Sequence, residues 1–240
     1  MKCDDIQVLL VETSHPGNIG ATARAMKNMG LSRLGLVSPR CGIDEVAIAR
    51  ASGALDILDT CQRYADLPSA VADSELVIGS SARPRSLSWP ELTPRAMAQR
   101  VAGLAGGQRV SLLFGRERSG LTNEELQFCH FTVKIPTHPE YSSLNVAMAV
   151  QLLAYELFVA LGDGSSSESA SHSEPMASAG ELEGFFDHLQ QVITTTGFLD
   201  PDNPRQMMKR LRRLYQRAEM TRNEVNILRG ILSSVQKYRG

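Results

Sequence analysis

The apolar positions of this chain fall first into short unbroken runs and later, toward the C-terminus, into helical stripes. The runs lie within residues 5–13 (DIQVLLVET), Leu34–Val37, Glu75–Gly79, Arg109–Phe114 and Phe131–Ile135. Short apolar runs bounded by turn residues mark buried strands. Helical segments lie between them. One runs from Ile19 to about Met29 and is closed by Gly30, and a shorter one covers Glu45–Arg50. Thr93 followed by Pro94 starts another, because Thr can cap free amides and Pro has no N–H to leave unpaired. Thr122 and Glu125 form a capping box for a helix to about Phe128. Leu55–Leu67 matches neither period, and Ser80–Leu92 (SSARPRSLSWPEL) reads as a long loop. After a polar loop at 136–143, Leu144–Leu161 reads as a long helix, with Ala147, Met148, Gln151, Leu152 and Tyr155 at helical spacing. Strands alternating with helices predict an α/β domain over residues 1–162, built on a mostly parallel sheet.

Residues 163–180 are rich in Ser, Gly and Ala and read as a flexible linker. Beyond it, residues 181–240 carry three helical stripes and predict a small all-α extension. Leu182, Phe185, Phe186, Leu189, Val192 and Ile193 make the first stripe, and Met207, Leu211, Leu214 and Tyr215 the second. The third, Ile227, Leu228, Ile231, Leu232 and Val235, follows a capping box of Thr221 and Glu224.

Charge changes the picture here. The net charge of −1 argues against a nucleic-acid partner until its distribution is read. Residues 181–240 hold ten Lys or Arg against seven Asp or Glu. Arg205, Lys209, Arg210, Arg212, Arg213 and Arg217 follow one another with no acid between them. Arg210, Arg213 and Arg217 share one helical side, while Met207, Leu211 and Leu214 take another. That arrangement favours phosphate binding over a merely solvated face.

Composition excludes several classes. Apolar residues are 42% and charged residues 21%, enough for a globular core. No apolar stretch approaches the ~20 residues of a membrane span. The apolar run near the N-terminus is broken by Glu12 and reads as a strand rather than a signal peptide. Four scattered cysteines, without CxxC or His at metal spacing, predict a reduced cytoplasmic setting and no metal site.

The candidate chemistry sits in three loops, each following a strand, where open α/β sheets bind ligands. They are Asn18-Ile-Gly20-Ala-Thr-Ala-Arg24, Phe114-Gly115-Arg-Glu117-Arg-Ser-Gly120-Leu121, and Ile135 through Ser142-Ser143-Leu144-Asn145. GxGxxG, the Gly-Lys-Ser/Thr phosphate loop and the GxSxG elbow are all absent from the sequence. Ser143 and His138 lack a third triad member. Ser143 and Asn145 suit either ligand contact or capping of the helix that follows. Glu117 suits either bracing Arg24 or pinning its own loop. Arg83 and Arg85, with Trp89 nearby, suit RNA backbone binding and stacking, or surface charge beside an inward-packed Trp.

In this order and spacing the three loops resemble the motifs of the SPOUT superfamily of RNA methyltransferases, over roughly residues 5–160. VETSHPGNIGATARAMKNMG, GSSARPR, FGRERSGLTNEEL and PEYSSLNVAMAVQ, followed by a linker and helical tail, narrow the likeness. They are similar to bacterial members that methylate the ribose 2′-hydroxyl of tRNA nucleotide 32, in the anticodon loop. The resemblance implies a C-terminal trefoil knot, which pattern alone never predicts. It implies S-adenosyl-L-methionine as donor, in a cleft of Ser80, Ser81, Ala82, Gly115, Ile135, Ser142, Ser143 and Leu144. It also implies catalytic roles for Arg24, Asn18, Glu117, Ser143 and Asn145, and RNA contacts by Arg83, Arg85, Arg205, Lys209, Arg210, Arg213 and Arg217. Last, it implies a homodimer whose clefts lie at the interface, with Arg24 reaching the neighbour's site. A guanidinium is a poor base, so Arg24 is better suited to orienting a phosphate and stabilising an alkoxide.

Overall fold

The computed structural model describes residues 1–81, 89–162, 175–200 and 206–238. Seven strands form one sheet: β1 (Ile6–Val11), β2 (Arg33–Val37), β3 (Gln62–Tyr64), β4 (Leu76–Ser80), β5 (Glu91–Leu92), β6 (Val110–Phe114) and β7 (Phe131–Val133). Their order is β3-β2-β1-β6-β4-β7-β5, and every pair is parallel. All six residues of β1 are buried, because the sheet is covered on both faces. Ile6, Val8 and Leu10 join one core, and Leu9 and Val11 the other.

The helices are α1 (Pro16–Asn28), α2 (Glu45–Ala51), α3 (Leu55–Asp59), α4 (Leu67–Val71), α5 (Pro94–Ala102), α6 (Asn123–Leu126) and α7 (Val146–Gly162). α1, α5 and α7 supply the larger core, while α4 and α6 cover the second face. Thr93 Oγ1 accepts from Ala96 N at 3.2 Å, and Thr122 and Glu125 close their capping box. Leu55–Leu67, which matched neither period, holds α3, β3 and the start of α4, each too short to show one. β5 lies inside the stretch expected to be loop. Two residues carry no pattern, and pairing with β7 alone defines them.

The tail folds as α8 (Ala179–Thr195), α9 (Met207–Arg217) and α10 (Arg222–Tyr238) around Phe185, Phe186 and Leu182. The expected flexible linker needs correction over 175–180; residues 163–174 lie outside the described ones. Met176 bridges Thr221, Ala177 is buried, and the Ser178–Glu181 capping box starts α8 before residue 181. Ala179 N donates to Ser74 O at 2.9 Å and Gly180 N to Ala72 O at 3.0 Å, seating the tail against the α/β domain. Backbone amides, which composition does not reveal, fix this segment.

Leu214 is 49% exposed, contrary to its place in the second apolar stripe. Gln216 is buried instead and donates its amide to Gln127 O, which turns that side of α9 toward the end of α6. Ile227 and Ile231 also face outward, while Val225 is buried and Leu228 and Leu232 pack on α8's core.

Candidate active site

β1, β6, β4 and β7 are neighbours, so their carboxyl ends bring the loops that follow them to one place. A cleft of about 220 Å³ opens there. Ser80, Ser81, Gly115, Ile135, Ser142, Ser143 and Leu144 all line it, as do Val146 and Ala149 at the start of α7. Ala82, Arg83, Arg85 and Arg205 lie outside the described residues.

The Gly115–Leu121 loop folds back on itself. Gly120 N donates to Arg116 O at 2.9 Å, and Gly120 has φ +68°. A Cβ on Gly115 would overlap the Gly120 carbonyl carbon and Leu121 N. Glycine is required at 115 for this close approach and at 120 for the left-handed backbone. Arg116 clamps the fold: it donates to both Glu125 oxygens at 3.0 and 2.9 Å, to Gly120 O at 3.3 Å, and to Glu12. Glu125 and then Glu12 push the guanidinium pKa still higher.

Glu117 is the polar centre beside the cleft. Its Oε1 accepts from Thr13 Oγ1 at 2.9 Å and Asn18 Nδ2 at 3.0 Å, and its Oε2 from Ser14 Oγ at 3.1 Å. Ser14 N also points to Oε1, at 3.4 Å. Burial works to raise this carboxyl, but hydrogen bonds from Asn18, its own backbone, Thr13 and Ser14 outweigh burial and hold it low. Asn145 Nδ2 donates to Asn18 Oδ1 at 2.9 Å, and Asn145 Oδ1 accepts from Ala147 N at 2.9 Å. Asn145 therefore both caps α7 and reaches the first turn of α1, where the stretch expected to be a loop is helical. Of the two roles open to Glu117, the geometry realises pinning of loops, its own and the first; no contact to Arg24 forms among the described residues.

Arg24 is exposed on α1 and does not line its own chain's cleft. It makes no ion pair or hydrogen bond among the described residues. His138 Nδ1 accepts from Glu140 N at 3.4 Å, and no bond joins it to Ser143. Trp89 packs inward against the core of the second face. Among the described residues no group of three His, Cys, Asp or Glu could hold a metal ion, and no helix is long and apolar enough to cross a membrane.

On α9, Arg210 and Arg217 are exposed, while Lys209 and Arg213 are half-buried. Arg212 pairs with Glu183 and lies over the Phe186 ring at 4.6 Å, so an acid from α8 answers part of this basic run. None of these residues lines the cleft. Sequence reasoning missed Thr13 and Ser14, the two hydroxyls at the end of β1, and the Arg116 clamp. A paired hydroxyl directly after a buried strand was the available signal.

Known proteins resemble this chain along nearly its whole length. Residues 5–155 match the SpoU rRNA Methylase family, and residues 180–239 match the C-terminal domain of the tRNA methyltransferase TrmJ. The tRNA (cytidine/uridine-2′-O-)-methyltransferase TrmJ of Pectobacterium atrosepticum is 51% identical over 235 residues, covering 98% of both chains. That of Salmonella typhimurium is 48% identical over 235 residues, covering 97% of both. The crystal structure of TrmJ from Z. mobilis ZM4 superposes with a TM-score of 0.84 at 34% identity, covering 96% of this chain and 98% of that one.

Proposed function

The chain belongs to the SpoU methylase family, and we propose that it transfers the methyl group of S-adenosyl-L-methionine to the ribose 2′-hydroxyl of nucleotide 32 in the tRNA anticodon loop. The observation that carries this reading is the likeness to tRNA (cytidine/uridine-2′-O-)-methyltransferases along nearly the whole chain, cleft and basic tail together.

The cleft suits the donor. Ile135 and Leu144 offer apolar surface for an adenine, and Ser80, Ser81, Ser142 and Ser143 offer hydroxyls and loop amides around it. Gly115 lets backbone approach closely. The bound sulfonium supplies an already activated methyl, so this chain's residues have mainly to position the acceptor oxygen. Ser143 lines the cleft, and Asn145, bonded to Asn18, stands next to Leu144 of its wall for that task. Arg24 is suited to hold a phosphate and stabilise the developing alkoxide rather than to take the proton.

Two further elements belong to this reading. Met148, Leu152, Tyr155 and Phe158 are each at least 43% exposed on α7, an apolar face that supports a homodimer. Arg24, unused in its own chain, then serves the partner's cleft. The path of the chain supports a trefoil knot, since β7 inserts between β4 and β5 before α7 returns across α1 and α5. Residues 1–162 form the catalytic domain and the α8–α10 extension the tRNA-binding domain, in a cytoplasmic enzyme. Labelled S-adenosyl-L-methionine incubated with unmodified tRNA transcripts tests this: label in tRNA is expected, and none in any tRNA sinks the reading.

A further inference from the structure

We propose that Thr13 and Ser14 are positioning residues which, through Glu117, set the hydrogen-bond polarity of the Asn18–Asn145 pair, and that Glu117 is a fixed acceptor rather than the base for the 2′-hydroxyl proton. The assignment rests on the methyl-transfer reading above and goes beyond it.

A carboxylate has about four lone-pair sites and donates nothing when ionised. The Glu117 carboxylate already faces the Thr13 hydroxyl, the Ser14 hydroxyl and amide, and the Asn18 amide. Oε1 takes three of these donors and Oε2 one, so the oxygen that faces Asn18 has no site left for an incoming proton without the loss of one of these bonds. Its depressed pKa agrees with that.

That acceptor-only character directs everything beyond it. A primary amide can present either oxygen or nitrogen, but a carboxylate accepts only N–H. Asn18 must therefore turn its nitrogen to Glu117 and leave Oδ1 on the far side. Asn145 must in turn offer its nitrogen to that oxygen, at 2.9 Å, and leave its own Oδ1 for Ala147 N at the start of α7. The chain of donors runs one way, from the α7 amide through Asn145 and Asn18 to Glu117, with Thr13 and Ser14 holding the acceptor from the other side. Each asparagine keeps one N–H that no described residue uses. Those two donors are fixed in direction and are what the site can aim at a developing oxyanion.

Polarity can be swapped without changing shape, and that provides the test. Glu117→Gln can still turn its amide oxygen to Asn18 and its nitrogen to the Ser14 hydroxyl, so it should lower kcat no more than severalfold on tRNA, where loss of a base would lower it far more. Asn18→Asp opposes two carboxylates and should lower kcat about ten- to a hundredfold. When both substitutions are combined, the new amide at position 117 donates to the new carboxylate at position 18. That carboxylate's other oxygen accepts from Asn145, so kcat should recover at least tenfold over Asn18→Asp alone. Thr13→Val should lower kcat severalfold with KM for the donor little changed, and Thr13→Ser should restore it.

A double variant no better than Asn18→Asp overturns the proposal, and so does a Glu117→Gln enzyme whose kcat falls a hundredfold or more. A Glu117 that acted as base would be lost in both and would leave the acid limb of the wild-type pH profile missing. The relay is also read without RNA, from the Asn145 side-chain amide resonance. It should be protected from exchange in wild type and in the double variant and released in Asn18→Ala; equal protection in all three contradicts the relay. Failure of methyl transfer by wild type on any RNA concerns the parent reading alone.

Discussion

Arg116 grips Glu125 through two hydrogen bonds, 3.0 and 2.9 Å long, directly behind the loop that forms one wall of the cleft. Planar fork-to-carboxylate pairs combine charge with fixed geometry. The Arg116 side chain is only 16% exposed, so its removal leaves the 14% exposed Glu125 without its ion-pair partner and Glu12 with Arg40 alone. Arg116→Ala should cost about 2–4 kcal/mol of unfolding free energy. Arg40, 62% exposed and also on Glu12, should cost less than about 1 kcal/mol when replaced by Ala. Urea unfolding of the two variants checks the contrast.

His130 gives the fold an acid sensitivity of known sign. It is buried, its Nδ1 accepts from Val77 N at 3.1 Å, and burial pushes its pKa from 6.5 down to about 4. Below pH 6.5 the unfolded chain binds a proton that the folded chain refuses. Stability should therefore fall between pH 6.5 and 4, by on the order of 3 kcal/mol from this group. His130→Asn keeps an acceptor for Val77 without a titrating ring. Denaturation across that window should show a flatter profile for the variant than for wild type.

The apolar face of α7 predicts an assembly. Tyr155 and Phe158 are 52% and 51% exposed on one helix side. Glu at either position should turn a dimer into a monomer in sedimentation velocity and abolish methyl transfer while leaving donor binding measurable. Mixing Arg24→Ala subunits with subunits whose cleft is blocked should restore partial activity. A monomeric wild type, or no rescue on mixing, would contradict a shared site.

The tail should act through charge. Arg210 and Arg217 project from α9 with no ion pair among the described residues, and α9 is tied to the end of α6 by the Gln216–Gln127 bond. Arg210→Ala and Arg217→Ala should each weaken tRNA binding and reduce the salt slope by about 1. Filter binding across a salt series reads both quantities. Arg212→Ala should instead destabilise the tail, because that residue holds Glu183 and Phe186.

Much of this fold was legible because its central strands are buried on both faces and so appear as unbroken apolar runs. β5 was not, since two residues have no period, and Leu214 was not, since α9 buries Gln216 on a neighbouring domain rather than completing an apolar stripe. The loops of the cleft were legible from their order along the chain. The partnership of Thr13 and Ser14 with Glu117 was not, because it joins residues about a hundred positions apart through sheet order alone. Arg24 is a case of the opposite kind: family likeness singles it out, while its own chain offers it no partner among the described residues.

The most direct test uses two anticodon stem-loop RNAs that differ only in the ribose of nucleotide 32, one with its 2′-hydroxyl and one 2′-deoxy. Each is incubated with wild-type protein and S-adenosyl-L-methionine, and the products are mapped by mass spectrometry. One added methyl is predicted on nucleotide 32 of the first RNA, and none on the second. Methylation of the deoxy RNA, or of the first RNA at any other nucleotide, would contradict a 2′-O-methyltransferase specific for nucleotide 32.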